Sequence, residues 1–244
     1  MKILDLFAGK GGELRRDHIE KRGHEYITLD YLPEFGCTIT ADIFDMSAKK
    51  LGYFDFVWAS PPCEAFSMAA GNTHFGGGYR AYIPITEHAK VSIKLVKHTI
   101  QIIRAMKPKA WLIENPVGIL RKLDFMKGLP RATVTYCQYG DSRMKPTDLW
   151  GIVPNWSPRP KCKNGRKCHE SAPRGSKTGT QGLANAADRA VVPLDLWVEL
   201  MDVLEGGLLT NACSRQVGIT RQNYLIPPDN NSVIWDGRKP TTSR

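Results

Sequence analysis

The 244-residue chain has no uninterrupted apolar run approaching the roughly 18 residues that a membrane-spanning helix needs. Its opening residues, "MKILDLFAGKGG", lack the pattern of a secretory signal, so the chain is expected in the cytoplasm with no membrane partner. Cysteine is sparse, at six residues, which does not suit a disulfide scaffold. In a reducing compartment such thiols serve as core, catalytic or metal-binding groups. No internal repeat is visible. Acidic side chains are outnumbered: 24 Asp and Glu face 34 Lys and Arg, leaving a formal charge of +10. The excess is concentrated between Arg143 and Arg189, where ten basic residues accompany three acidic ones. A solvated basic face would account for this. A polyanion-binding segment would too, since phosphate contacts supply most nonspecific affinity for nucleic acid.

What is present is an ordinary soluble composition, 42% apolar and 24% charged, in a chain long enough for one large domain with a small appendage. "KILDLF" (2–7), "EYITLD" (25–30), "TITADIFD" (38–45), "FDFVWAS" (54–60), "AWLIEN" (110–115) and "ATVTYC" (132–137) read as strands. "DLWGIV" (148–153) is placed to form a hairpin with the last of them. Residues 87–106 read as a helix with Leu95, Thr99, Ile100, Ile103 and Met106 on one face, Thr86 as its cap and Pro108 beyond its end. A second helix, over 192–206, carries Pro193 in its first turn. Strands alternating with helical connections predict an α/β fold: an open, mostly parallel, twisted sheet with helices on both faces. Ligands in such sheets sit beyond the carboxyl ends of the strands. Gly9, Asp30, Asp42, Pro61 to Cys63, and Glu114 with Asn115 all fall at those ends and predict one crevice.

Three motifs carry chemistry. "DLFAGKGG" (5–12) lies between a strand and a helix, as a nucleotide-type cofactor loop does, with glycines that admit close backbone approach. It does not end in the Lys-Ser or Lys-Thr of a phosphate-cradling P-loop. Asp30 is placed to hold ribose hydroxyls and Asp42 to accept from an adenine amino group. "SPPCEAFS" (60–67) brackets a lone thiol with two prolines. "LIENP" (112–116) puts a carboxylic acid and an amide at the end of an apolar strand.

Together and in this order, the three motifs resemble those of the cytosine-C5 DNA methyltransferase family, in particular its compact phage or prophage-type members. The likeness covers residues 1–153. It implies a Rossmann-like class I methyltransferase fold, S-adenosylmethionine as cofactor and double-stranded DNA as partner. The cofactor would be held by Asp5, Phe7, Ala8, Gly9, Gly11, Gly12, Asp30, Tyr31, Asp42, Ile43 and Pro61. Cys63 would be the nucleophile that adds to C6 of a flipped-out cytosine, because C5 alone is a poor nucleophile. Glu114 would be the acid at N3, Asn115 would pin the cysteine loop, and Arg143, in "YCQYGDSRMKPTDLW" (136–150), would stand near the base.

The chain also departs from the family pattern. Glu64 replaces the usual Gln after the cysteine, and Pro116 replaces a valine. "ADRAVVPLDLW" (187–197) is at most a remnant of the later motifs. Only about forty residues separate Trp150 from the returning helix, where the family carries a large recognition domain. The expected organisation is a catalytic domain over 1–153, a short basic insert over 154–190, a returning helix over 191–206 and a tail over 207–244. A short Gly/Pro-rich insert grips phosphates but has little room for base-edge contacts, so low sequence specificity and action as a monomer are expected. Within the insert, Cys162, Cys168 and His169 have the ligand types of a zinc site, with Cys137 as one option for a fourth ligand. In the loop 71–84, Arg80 and its aromatic neighbours are candidates for closing over an extruded base. Two rivals remain open at this level: an RNA cytosine methyltransferase, and an inactive protein of this fold that masks DNA.

Overall fold

The computed structural model describes residues 1–68, 71–77, 81–163, 165–170 and 186–213. Arg80, part of the basic insert and the tail beyond residue 213 lie outside the described residues. The chain runs β1 (Lys2–Leu6), α1 (Gly9–Lys21), β2 (Glu25–Asp30), β3 (Ile39–Thr40), α2 (Ala48–Leu51), β4 (Phe56–Ala59), α3 (Gly71–His74), β5 (Phe75–Gly76), β6 (Ile83–Pro84), α4 (Glu87–Met106), β7 (Ala110–Pro116), β8 (Arg131–Thr135), β9 (Pro146–Ile152), α5 (Ala186–Ala190) and α6 (Leu194–Cys213). Among the described residues no helix is long and apolar enough to cross a membrane.

Seven strands form one sheet in the order β3-β2-β1-β4-β7-β9-β8. The first five are parallel, while β9 runs antiparallel to both β7 and β8. The expected hairpin therefore exists, but its second strand inserts between β7 and β8. The apolar runs of β1, β4 and β7 are continuous because helices cover both faces, and alternate side chains serve opposite layers. Leu4, Val57 and Ile113 pack with Val96, Ile100 and Ile103 of α4. Ile3, Phe56, Trp58 and Leu112 pack with Ile19 of α1 and with Leu196, Trp197 and Leu200 of α6. The Thr86 hydroxyl accepts from the Ala89 amide at 3.2 Å and starts α4 where expected.

Several expected strands are shorter in the structure, and two of them end at identifiable turns. The third stops at Thr40, because the Asp42 carboxylate accepts from the Phe44 amide at 2.9 Å and turns Ile43–Asp45 into a 3-10 helix. The sixth stops at Thr135, where Tyr136–Tyr139 form a 3-10 turn closed by Gly140 in the left-handed region.

Beneath the loop that joins β1 to α1 lies a buried charge cluster. Arg15 Nη2 donates to Asp5 Oδ2 at 2.5 Å, its Nε donates to the Tyr26 hydroxyl at 3.2 Å, and that hydroxyl donates to the same Asp5 oxygen. The guanidinium also reaches the Ala8 carbonyl at 3.3 Å and lies 4.9 Å from the Trp197 ring centre. Burial opposes its charge, but Asp5 and Tyr26 outweigh that and hold the group protonated. Replacing only the cation leaves a fully buried carboxylate without its counter-ion. Arg15→Met is expected to cost roughly 3–5 kcal/mol in urea unfolding, and Asp5→Leu in the same chain to recover part of it. No destabilisation in the single variant would show the pair to be dispensable.

Candidate active site

A cleft opens at the carboxyl ends of the parallel strands. Phe7, Ala8, Gly9, Gly11, Asp30, Tyr31 and Pro61 line one part of it, and Pro62, Cys63, Glu64, Glu114 and Lys145 line another. Gly9 adopts φ +49°, and a side chain there would meet nothing within 4 Å, so the backbone at the start of α1 faces open space. The Asp30 carboxylate accepts from the Gly9 amide at 3.0 Å and the Leu32 amide at 3.1 Å, tying the loop to the end of β2. Tyr31, 62% exposed, with Leu32 and Phe35 completes an apolar wall. A bare backbone turn, an acid and an apolar wall in one cleft fit the amino acid, ribose and adenine parts of S-adenosylmethionine.

The thiol loop is anchored from both sides. The Asn115 side-chain amide donates to the Pro61 carbonyl at 2.9 Å, and the Phe66 carbonyl accepts from the Ile119 amide at 2.8 Å. The second contact requires Gly118, since a Cβ there would lie 2.2 Å from the Phe66 oxygen. Between these anchors Cys63 heads a 3-10 turn over Glu64–Phe66. Burial first, then the Glu114 and Glu64 carboxylates, push its thiol pKa up to about 11, with Lys145 opposing. Glu114 is 4% exposed and accepts from the Tyr136 hydroxyl at 2.7 Å. Lys145 Nζ lies 4.0 Å from Glu114 Oε1 and 4.7 Å from the centre of the Tyr136 ring.

Several expected site residues lie elsewhere. Asp5 is fully buried beneath the loop, occupied by Arg15 and Tyr26. Gly12 is buried within α1 against Ala8 and Thr28, outside the cleft lining. Asp42 and Ile43 are also outside it: the first caps its own turn, and the second, 3% exposed, belongs to the core. Arg143 is placed differently from the expectation. Its guanidinium forks onto Asp141 and also donates to the Asp188, Arg189 and Val191 carbonyls, so it pins the segment before α6 and does not line the cleft. Lys145, two residues on, lines the cleft in its place. The Arg143-x-Lys145 spacing makes both eligible from sequence, and only the pairing with Asp141 separates them. Tyr136 also escapes a sequence reading, because "ATVTYC" reads as plain strand. Cys162, Cys168 and His169 are brought together, and Cys137 joins them, outside the cleft.

Over 218 residues the chain is 29% identical to a protein named "Probable DNA (cytosine-5)-methyltransferase" from Frog virus 3 (isolate Goorha), covering 83% of this chain and all of that one. The type II methyltransferase M.DsaV of Dactylococcopsis salina is 29% identical over 128 residues, 49% of this chain and 32% of that protein. Among solved structures, the S. pombe Dnmt2 methyltransferase covers 64% of this chain and 51% of its own at 12% identity and a TM-score of 0.43. The sheet and its helices are those of a Rossmann-like class I methyltransferase. The family profile "C-5 cytosine-specific DNA methylase" matches residues 1–130, the stretch that builds the Gly9 loop, the Cys63 bracket and the Glu114 strand. The chain thus belongs to the C-5 cytosine-specific DNA methylases, enzymes of the DNA (cytosine-5-)-methyltransferase class.

Proposed function

We propose that this chain methylates C5 of cytosines flipped out of double-stranded DNA, through a covalent bond between Cys63 and C6. The observation that carries the reading is that Cys63 and Glu114 line the same cleft as Gly9 and Asp30, where a methyl donor fits. S-adenosylmethionine, when bound, supplies an electrophilic methyl group. Gly9 and the first turn of α1 would hold its amino acid end, Asp30 its ribose and Tyr31 its adenine. Cys63 adds to C6, electron density moves toward N3, and Glu114 holds the proton there while the Tyr136 hydroxyl fixes its orientation. C5 thereby becomes nucleophilic. After C5 has been methylated, loss of its proton and expulsion of Cys63 restore the ring. Asn115 acts through the Pro61 carbonyl, as a positioning residue. Lys145 stands beside both Cys63 and Glu114, and it offsets the negative charge that opposes the thiolate.

Residues 1–153 with the returning helix would form the catalytic body, and 154–190 the DNA-gripping segment. That segment's described part presents Lys161, Lys163, Arg166 and Lys167 to solvent, whereas Arg159 is held by Glu199 and the Gln138 carbonyl. Phosphate contacts of this kind confer affinity with little sequence preference.

With methyl-tritiated S-adenosylmethionine and unmodified duplex DNA, the wild type is expected to place label in 5-methyldeoxycytidine and Cys63→Ala to place none. Label in another base, or equal label from Cys63→Ala, would reject the reading. Glu114→Gln is expected to lower the transfer rate by roughly 10²–10⁴.

The thiol pKa generates a separate test without DNA. With the thiolate scarce below about pH 11, iodoacetamide labelling of Cys63, followed by peptide mass spectrometry, should quicken about tenfold per pH unit through the neutral range. Glu114→Gln removes a negative neighbour and shifts the midpoint down, whereas Lys145→Gln removes the opposing cation and shifts it up. Shifts of the reverse sign would exclude this electrostatic account.

A further inference from the structure

Among the described residues of the basic loop after β9, none between 154 and 170 is buried. The loop is held by backbone contacts, the Cys162 amide donating to the Thr135 hydroxyl at 2.8 Å and the Glu170 amide to the Ser142 carbonyl at 2.8 Å. These contacts fold it over the Tyr136–Tyr139 turn and bring four soft or borderline ligand atoms to one point. The thiols of Cys137, Cys162 and Cys168 and a ring nitrogen of His169 all lie within 4.8 Å of one another. Cys162 Sγ is 3.3 Å from Cys168 Sγ, and His169 Nδ1 is 3.7 Å from Cys162 Sγ and 3.6 Å from Cys168 Sγ. A tetrahedral zinc ion with Zn–S near 2.3 Å and Zn–N near 2.0 Å would set its ligands about 3.8 Å (S to S) and about 3.5 Å (S to N) apart. The cluster thus sits near the edge lengths of that tetrahedron.

We propose that Cys137, Cys162, Cys168 and His169 form a structural zinc site that clamps the basic loop onto the turn following β8. The donor set is the three-cysteine, one-histidine type, closed with no position left for water, which suits a structural ion and not a catalytic one. A disulfide would use two of the thiols and leave the third and the imidazole without a role. Outer-shell support is present as well: the Gln138 amide lies 3.9 Å from Cys137 Sγ and 3.7 Å from Cys168 Sγ, a donor aimed at sulfur as thiolate ligands require. The site joins segments about 25 residues apart, and none of the described residues between 154 and 170 is buried, so a metal can supply what a small core cannot. Through Cys137 it also fixes the residue next to Tyr136, whose hydroxyl holds Glu114.

The full-length protein, purified reduced and without chelator, is expected to contain one zinc per chain by elemental analysis. Exchange for cobalt should give tetrahedral d–d bands together with a thiolate-to-cobalt charge-transfer band. Cys162→Ser and Cys168→Ser are expected to lose at least nine-tenths of the zinc, while Cys37→Ser keeps it. Should those variants fold poorly, the wild-type cobalt spectrum decides alone. Zinc-free reduced protein without a tetrahedral cobalt spectrum would overturn the proposal, as would full zinc content in Cys162→Ser, or a Cys162–Cys168 disulfide in metal-free protein.

Discussion

The Asp5–Arg15–Tyr26 cluster is the constraint on which the cleft depends. It joins the first strand, the first helix and the second strand at the one place where the chain must leave the sheet, turn through Gly9 and present bare backbone to a ligand. Asp5 is fully buried and its Oδ2 holds Arg15, which in turn holds the Ala8 carbonyl and underlies the loop. A loop with open space above it needs a rigid floor, and a buried ion pair with a shared hydroxyl is a stiff one. The acid at the start of "DLFAGKGG" is thus structural, and the acid that faces the cleft is Asp30, one strand away.

The second tension is electrostatic. The thiol bracketed by two prolines and anchored through Asn115 and Gly118 is geometrically prepared but electrostatically discouraged, since burial, Glu114 and Glu64 all disfavour its charge. Glu64, where relatives in the resembled family carry a neutral amide, adds to that burden. A thiol suppressed in this way is protected from stray alkylation and oxidation. Lys145 is the local counterweight, and its position at the entry to β9 places it beside two other strand ends, those bearing Glu114 and Tyr136.

Much of this was legible in the sequence where a residue's own run decides its fate. The apolar strands that end at Leu6, Asp30, Ala59 and Pro116, the Thr86 cap and the helix after it follow from local periodicity, and their ends do converge on one cleft. What escaped were outcomes decided by partners distant in the chain. Asp42 competes with a strand for its own backbone, and Asp141 takes Arg143 out of the cleft. Tyr136 finds its hydroxyl's partner in Glu114, two strands away across β9. The spacing of Cys162, Cys168 and His169 is visible in the sequence, but selecting Cys137 as their companion needs the fold.

Trp197 stacks over Arg15 and packs against Tyr26, Phe56 and Trp58 from a helix near the far end of the described chain. The same segment brings Val191 and Val192 to the rim of the cleft. The glycine loop, the thiol and the acid all precede α6 in the chain, so the indole that covers Arg15 and Tyr26 is added to the sheet after them. The face of the sheet behind the cleft, and with Val191 and Val192 part of its rim, is therefore closed by a segment far along the chain from the residues it supports.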